Sequence, residues 1–177
     1  MAVTVTVENI RDSRPDVEGN TGKITTKDSS GLRVYLASPF FSDEQIEEVK
    51  RLEKALTANP HVAEVFSPMR NQIEELEFGS FEWRQAVFKN DVDHIDWADI
   101  VVVVHDYFED KTDAGTAWEM GYSYAKGKPV FLLQEKQGVP VNLMLSESCK
   151  AYFVSTDEVA EYDFSNPKEI KFYGEVF

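Results

Sequence analysis

The strongest hydrophobic pattern in the chain is a continuous one. Asp99-Ile-Val-Val-Val-Val104 is apolar and β-branched at every position after the first, so neither face of that segment suits water. A central parallel strand, covered by helices on both sides, requires this pattern. Leu32-Arg-Val-Tyr-Leu-Ala37, Val62 to Phe66 and Lys128-Pro-Val-Phe-Leu-Leu133 repeat it as shorter buried strands, and the pairs Ser38-Pro39 and Ser67-Pro68 stop the first two. Between the strands the apolar period becomes helical. Ser42-Asp-Glu-Gln45 has the form of a capping box, after which Ile46, Val49, Leu52 and Leu56 recur up to Asn59-Pro60. Trp83, Val87, Asp91 and Ile95 follow at four-residue steps and predict a helix over Phe81 to Asp96. Gly115 to Lys126 reads as a further helix, ended by Gly127. From Tyr152 to Phe177 the pattern is mixed.

The first residues follow other rules. Val3, Val5 and Val7 alternate with Thr4, Thr6 and Glu8, as in a strand, and Asp12 to Gly31 is polar without an apolar period. Residues 1–31 are therefore expected to be an extension, a short strand or arm plus a polar linker, and residues 32–177 the folded domain. Strand, helix, strand, helix, strand is the order of a doubly wound α/β sheet. Ligands in such sheets sit beyond the carboxyl ends of the strands. A site is expected from residues after Leu36, Phe66, Val104 and Leu133.

Composition narrows the functions. Hydrophobic residues make up 42% of the chain, enough for a packed core. A net charge of −14 argues against a nucleic-acid partner, which needs a basic surface. Cys149 is the single cysteine, no apolar stretch reaches membrane-spanning length, and the N-terminus lacks the basic-then-apolar layout of a leader. The cytosol is the expected compartment, with no membrane partner.

The candidate chemistry emerges by exclusion. The segment after the first strand, Ala37-Ser-Pro-Phe-Phe41, has no dinucleotide-binding glycines, and neither a P-loop nor a G-x-S-x-G elbow occurs in the chain. His61, His94 and His105 lack metal-ligand spacing, so no metal and no cofactor are expected. Carboxylates, aromatics and amides remain. Asp113 is either a helix cap or a ligand group, because Asp is a favoured cap. Glu119, inside the second turn of that helix, is either a solvated helix residue or a site carboxylate. Asp91 and Asp93 fall late in their helix, where a carboxylate opposes the macrodipole at a cost of about 0.3–1 kcal/mol. Asn142 reads equally as a turn residue, and Trp118, Met120 and Met144 as core.

Six segments, in order, resemble the nucleoside 2-deoxyribosyltransferases: Val34-Tyr-Leu-Ala-Ser-Pro-Phe-Phe41, Ser67-Pro-Met-Arg-Asn-Gln72, Asn90-Asp91 with Ala98-Asp99, Asp113 with Glu119-Met-Gly-Tyr122, Asn142-Leu-Met144, and Phe172-Tyr-Gly-Glu-Val-Phe177. The resemblance spans residues 32–177. It implies a flavodoxin-like, mostly parallel sheet flanked by helices, and homo-oligomers, from dimer to hexamer, with sites shared between subunits. It implies purine and pyrimidine deoxyribonucleosides and free bases as ligands, with 2-deoxyribose moved between bases. Glu119 matches the nucleophile that forms a covalent deoxyribosyl ester, and Tyr35 the residue that orients it. Asp91 matches the carboxyl that carries the base's proton, with Gln72 beside it. Asp113 matches the group holding the sugar hydroxyls, together with Asn142 from across a subunit interface. Ala37, Phe41 and Met144 match pocket positions, and Phe177 a terminal carboxylate that reaches a neighbour's site. Cleaving an N-glycosidic bond through an oxocarbenium-like state with retention needs one carboxylate nucleophile and one acid, and no metal.

Two features depart from the family pattern: residues 1–31 are additional, and Arg70 reads either as a modifier of base preference or as half of a surface salt bridge. Two other functions fit less well. An N-glycosidase on the same fold acting on 5′-monophosphates would want positive charge where Asp113 stands. A non-catalytic nucleotide-binding module would leave Glu119 a purely structural role.

Overall fold

The computed structural model describes residues 23–25, 30–106, 108 and 111–177. The strand expected at Val3 to Val7 lies outside them. Six strands form one sheet in the order β1-β3-β2-β4-β5-β6: β1 (Lys23–Thr25), β2 (Leu32–Ala37), β3 (Val62–Phe66), β4 (Ile100–Val104), β5 (Val130–Leu133) and β6 (Ala151–Phe153). From β2 onward all pairings are parallel, whereas β1 runs antiparallel along β3, with Ile24 opposite Val65. The expectation of a polar linker over Asp12 to Gly31 is thus corrected at Lys23–Thr25. A three-residue strand needs backbone pairing more than an apolar period, and the exposed edge of β3 supplies the pairing.

Helices α1 (Asp43–Ala58), α2 (Phe81–Trp97), α3 (Ala114–Ala125), α4 (Leu143–Ser146) and α5 (Thr156–Glu161) complete the architecture. The capping box is present: Ser42 Oγ accepts from Gln45 N, and the Gln45 side chain accepts from the Ser42 and Phe41 amides. The alternation of side chains along the strands sorts the core into two faces. Val34, Leu36, Val102, Val104 and Leu133 pack with Val49, Leu52 and Leu56 of α1 and Val159 of α5. Tyr35, Ala37, Val101, Val103 and Leu132 pack on the opposite face with Ile95 of α2 and Met120 of α3. That parity sends Tyr35 toward α2 and α3. The five parallel strands have the winding order in which chain direction reverses beside the first of them, so the crevice opens between the carboxyl ends of β2 and β4.

A buried carboxyl pair ties α1 to the end of β4. Glu48 is 5% exposed, and its side chain is hydrogen-bonded to Asp106. Asp106 accepts the backbone N–H groups of Glu135 at 2.6 Å and Lys136 at 3.0 Å. Burial, then the Asp106 charge, pushes the Glu48 carboxyl up to about 8. The folded state therefore holds a proton that the unfolded chain releases near pH 4.5, and the stability it carries is lost as pH rises toward 8. Glu48 should contribute at most about 1.4 kcal/mol per pH unit to the weakening of the wild type across that window, and Glu48→Gln should weaken less steeply by that contribution. Urea unfolding at pH 5 and pH 8.5 measures both, and equal slopes would contradict the shared proton.

Candidate active site

Tyr35 lies wholly inside the core on β2, and its hydroxyl donates to Glu119 Oε1 at 2.5 Å. Burial, then the charges of Glu119 and Asp91, holds the phenol well above its ordinary range, so it remains a donor. Glu119 stands in the second turn of α3, where Ser123 Oγ donates back to its carbonyl at 2.7 Å. Asp113 caps that helix, its Oδ2 accepting from Thr116 N at 2.8 Å and Thr116 Oγ1 at 3.1 Å. Both local readings of Asp113 thus survive, because the cap occupies one carboxylate oxygen and leaves the other. At Gly115 a Cβ would lie 3.0 Å from Asp113 Oδ2, so a side chain there would press on the capping carboxylate.

Glu119 and Asp91 face one cavity of about 370 Å³ between α2 and α3, lined also by Trp83, Arg84, Val87, Phe88, Val92, Gly115 and Trp118. Burial pushes Asp91 up to about 7, against a hydrogen bond from Asn90 that lowers it. Glu119 is pushed to about 8 by burial first, then by the charges of Asp91 and Asp113, with the Tyr35 bond opposing. The neighbour's charge raises Glu119 and not Asp91, because Asp91 loses its proton first, while Glu119 is still neutral. The two carboxyls hold one proton between them over roughly pH 7 to 8, the window in which a nucleophile and an acid coexist.

One expectation about Asp91 is corrected. It sits six residues before the end of α2, beyond the reach of a dipole effect confined to the last turn, so its shift comes from burial and not from the macrodipole. It enters the site from α2, which precedes β4, rather than from a loop beyond a strand end.

The other residues singled out in the sequence fall elsewhere. Ala37 is fully buried at the end of β2. Gln72 donates to the Met69 carbonyl at 3.1 Å. Phe41 is 68% exposed and stacks on Phe40. Asn142 caps α4 through Met144 N at 2.9 Å, and Leu143 N donates to the Phe177 carbonyl at 3.2 Å, so Asn142, Met144 and Phe177 share one surface region. Met144 and Phe177 are 70% and 59% exposed, and none of these six lines the cavity. Trp118, read as core, is half-exposed at the cavity and contacts Phe88 at 5.4 Å. Arg70 makes a bidentate pair with Glu53 whose shorter contact is 2.6 Å; both side chains are largely buried, so the surface-bridge reading is corrected to a buried one. Arg84 and Phe88 were missed as site residues. Their signal was spacing, since positions 84, 88 and 91 fall on one helical face. Among the described residues no cluster of His, Cys, Asp or Glu fits a metal, and no helix is long and apolar enough to cross a membrane.

A model of the nucleoside 2-deoxyribosyltransferase family matches residues 34–145, more than half of the chain and all of the cavity residues. The chain belongs to that family. Its members are glycosyltransferases acting on deoxyribonucleosides. A nucleoside deoxyribosyltransferase of Limosilactobacillus fermentum is 29% identical over 152 residues, covering 78% of this chain and 89% of that protein. The structure of a 2-deoxyribosyltransferase from Bacillus psychrosaccharolyticus is 46% identical, with a TM-score of 0.70, covering 79% of this chain and 98% of that one. A conserved protein of Enterococcus faecalis V583, 21% identical with a TM-score of 0.61, shares the fold over 73% of this chain and 95% of its own. The α/β fold expected from the strand pattern is the family's fold.

Proposed function

We propose that this protein exchanges the base of 2′-deoxyribonucleosides through a covalent ester on Glu119, with retention at C1′. The observation that carries the proposal is the pairing of Glu119 with the Tyr35 hydroxyl at 2.5 Å in a cavity shared with Asp91. Glu119 Oε attacks C1′, the C1′–N bond breaks, and the departing base nitrogen takes a proton from Asp91. The electron pair of the broken bond leaves with the base. An incoming base then attacks C1′ from the opposite face to the ester, releases Glu119, and returns its proton to Asp91. Before a nucleoside binds, the proton rests on Glu119. A bound base presenting an acceptor nitrogen to Asp91 stabilises the protonated Asp91, and Tyr35 stabilises the ionised Glu119. Asp113 has a carboxylate oxygen to offer a sugar hydroxyl.

Self-association with shared sites is part of the same reading. Asn142, Met144 and Phe177 share a surface region apart from the cavity, which supports a role for them in a second copy's site. A cytosolic setting is supported by the single cysteine, Cys149.

Incubation with deoxyinosine, with and without adenine, tests the proposal. Deoxyadenosine should form and hypoxanthine release should depend on adenine; release at the same rate without adenine would favour the hydrolase. The proton count also fixes a pH profile. Below about pH 7 both carboxyls are protonated and there is no nucleophile, while above about 8 both are ionised and there is no acid. The rate kcat/KM should peak between these values and fall on both sides, whereas a flat profile from pH 5 to 9 would contradict the shared proton.

A further inference from the structure

The Asp113 carboxylate is held twice. The side chains of Ser42, Ser80, Asp113, Asn142 and Ser155 cap α1 to α5, each accepting one backbone N–H from its own helix. One such bond suffices for a cap. Among the described residues, Asp113 is the one cap whose side chain also accepts from a side chain: the Thr116 hydroxyl donates to the same Oδ2 at 3.1 Å. Thr116 is 1% exposed, so water does not compete for that hydroxyl. A capping box would place Glu or Gln at this position, reaching back to the cap's backbone as Gln45 does in α1. Thr116 reaches instead for the carboxylate. That carboxylate lies against the cavity, because Oδ2 is 3.0 Å from the Cβ position of Gly115, and Gly115 lines the cavity with Glu119. Asp113 and Glu119 are about 9 Å apart along the helix axis, and the Asp113 charge is felt at Glu119.

We infer that Thr116 is a positioning residue for the sugar: by fixing Asp113 Oδ2, its hydroxyl presents the second carboxylate oxygen to a sugar hydroxyl. The inference rests on the transferase reading of Asp113 and adds the residue through which that contact is held. The terminal torsion of an Asp side chain is soft, so a carboxylate held by one donor still turns. Two donors converge on Oδ2, Thr116 N at 2.8 Å and Thr116 Oγ1 at 3.1 Å, and together they restrain its plane. None of the described hydrogen bonds uses Oδ1, whose lone pairs are kept for a ligand. A sugar hydroxyl donating there makes a charge-assisted bond. An acceptor fixed before the substrate arrives loses little freedom on binding, so more of that bond goes into holding C1′ against Glu119. Thr116 acts through Asp113 and not on the reacting atoms.

A double-mutant cycle tests this, read as kcat/KM for deoxyinosine with adenine as acceptor. Thr116→Val keeps the branched shape and the backbone cap but removes the hydroxyl, and should lower transfer by about tenfold. Thr116→Ser restores the donor and should return most of the activity. Asp113→Ser keeps a capping oxygen but has no second one for the sugar. In that background Thr116→Val should cost about twofold or less, because its effect passes through Asp113. The melting of each variant is followed in parallel, and transfer is compared well below it. A merely structural Thr116 would lower transfer by the same factor in both backgrounds, which overturns the inference. Full activity in Thr116→Val, or a serine that fails to rescue, overturns it too, and all three results spare the covalent route on Glu119. Absence of transfer by the wild type overturns both.

Discussion

Replacing Glu119 with alanine is expected to lower base exchange by about 10⁴-fold or more, the scale on which removal of a covalent nucleophile is felt elsewhere. Among the described residues one other carboxylate lines the cavity, Asp91, and the proposal assigns it to the base rather than to C1′. The alanine also strands the Tyr35 hydroxyl, which is wholly buried and would lose its carboxylate partner. That orphaned donor costs about 1–3 kcal/mol of stability, so the activity loss needs a variant in which the fold is undisturbed. Glu119→Gln serves: its amide oxygen accepts from Tyr35, but the amide cannot form the ester. Thermal unfolding of Glu119→Gln should match the wild type while exchange is lost. Full activity in either variant would sink the covalent route and leave Glu119 a structural residue.

Asp91→Asn is the second large effect, expected at about 10²–10⁴-fold on transfer from ordinary nucleosides. The amide keeps the shape of the side chain and removes its proton. The loss should therefore depend on the donor. A base that leaves readily without protonation should be transferred at close to the normal rate, because the missing step is no longer needed. The pH profile should change form as well. With Asp91 gone, Glu119 alone titrates, and it titrates lower because the second cause of its raised value, the Asp91 charge, has been removed. Activity should rise through that lowered value and then stay level, where the wild type falls again above about pH 8. A bell-shaped profile in Asp91→Asn would mean that the acid is some other group.

How far the sequence disclosed this site depends on the kind of signal each residue leaves. The four long parallel strands are legible because burial on both faces demands unbroken apolar runs, and Ile100 to Val104 is the plainest of them. The parity of β2, which sends Tyr35 toward α3 and Leu36 away from it, follows from the pleat alone. Strands β1 and β6 and helices α4 and α5 are short, and elements of three to six residues carry too little period to announce themselves. Asp113 was legible as a cap and Glu119 only through resemblance, because a carboxylate in the second turn of a helix has the same local pattern whether it is solvated or buried. Asp91 drew notice through an argument about the helix dipole that the structure does not support; its burial depends on α3 packing across α2, a long-range fact. The Glu48–Asp106 pair was invisible for the same reason, since it joins positions far apart in the chain, one inside α1 and one just past β4. The shared face of Arg84, Phe88 and Asp91 was there to be read from spacing, once Asp91 was taken as the reference point.

The account stands or falls on a bond between Glu119 and the sugar. Rapid acid quenching of the enzyme with 2′-deoxyinosine and no acceptor base, followed by intact-protein and peptide mass spectrometry, looks for it directly. The expected result is a mass gain of one deoxyribosyl group, localised to the peptide carrying Glu119, absent in Glu119→Gln and discharged when adenine is added before the quench. Exchange that proceeds at full rate with no adduct, or with the adduct on another residue, would contradict the account.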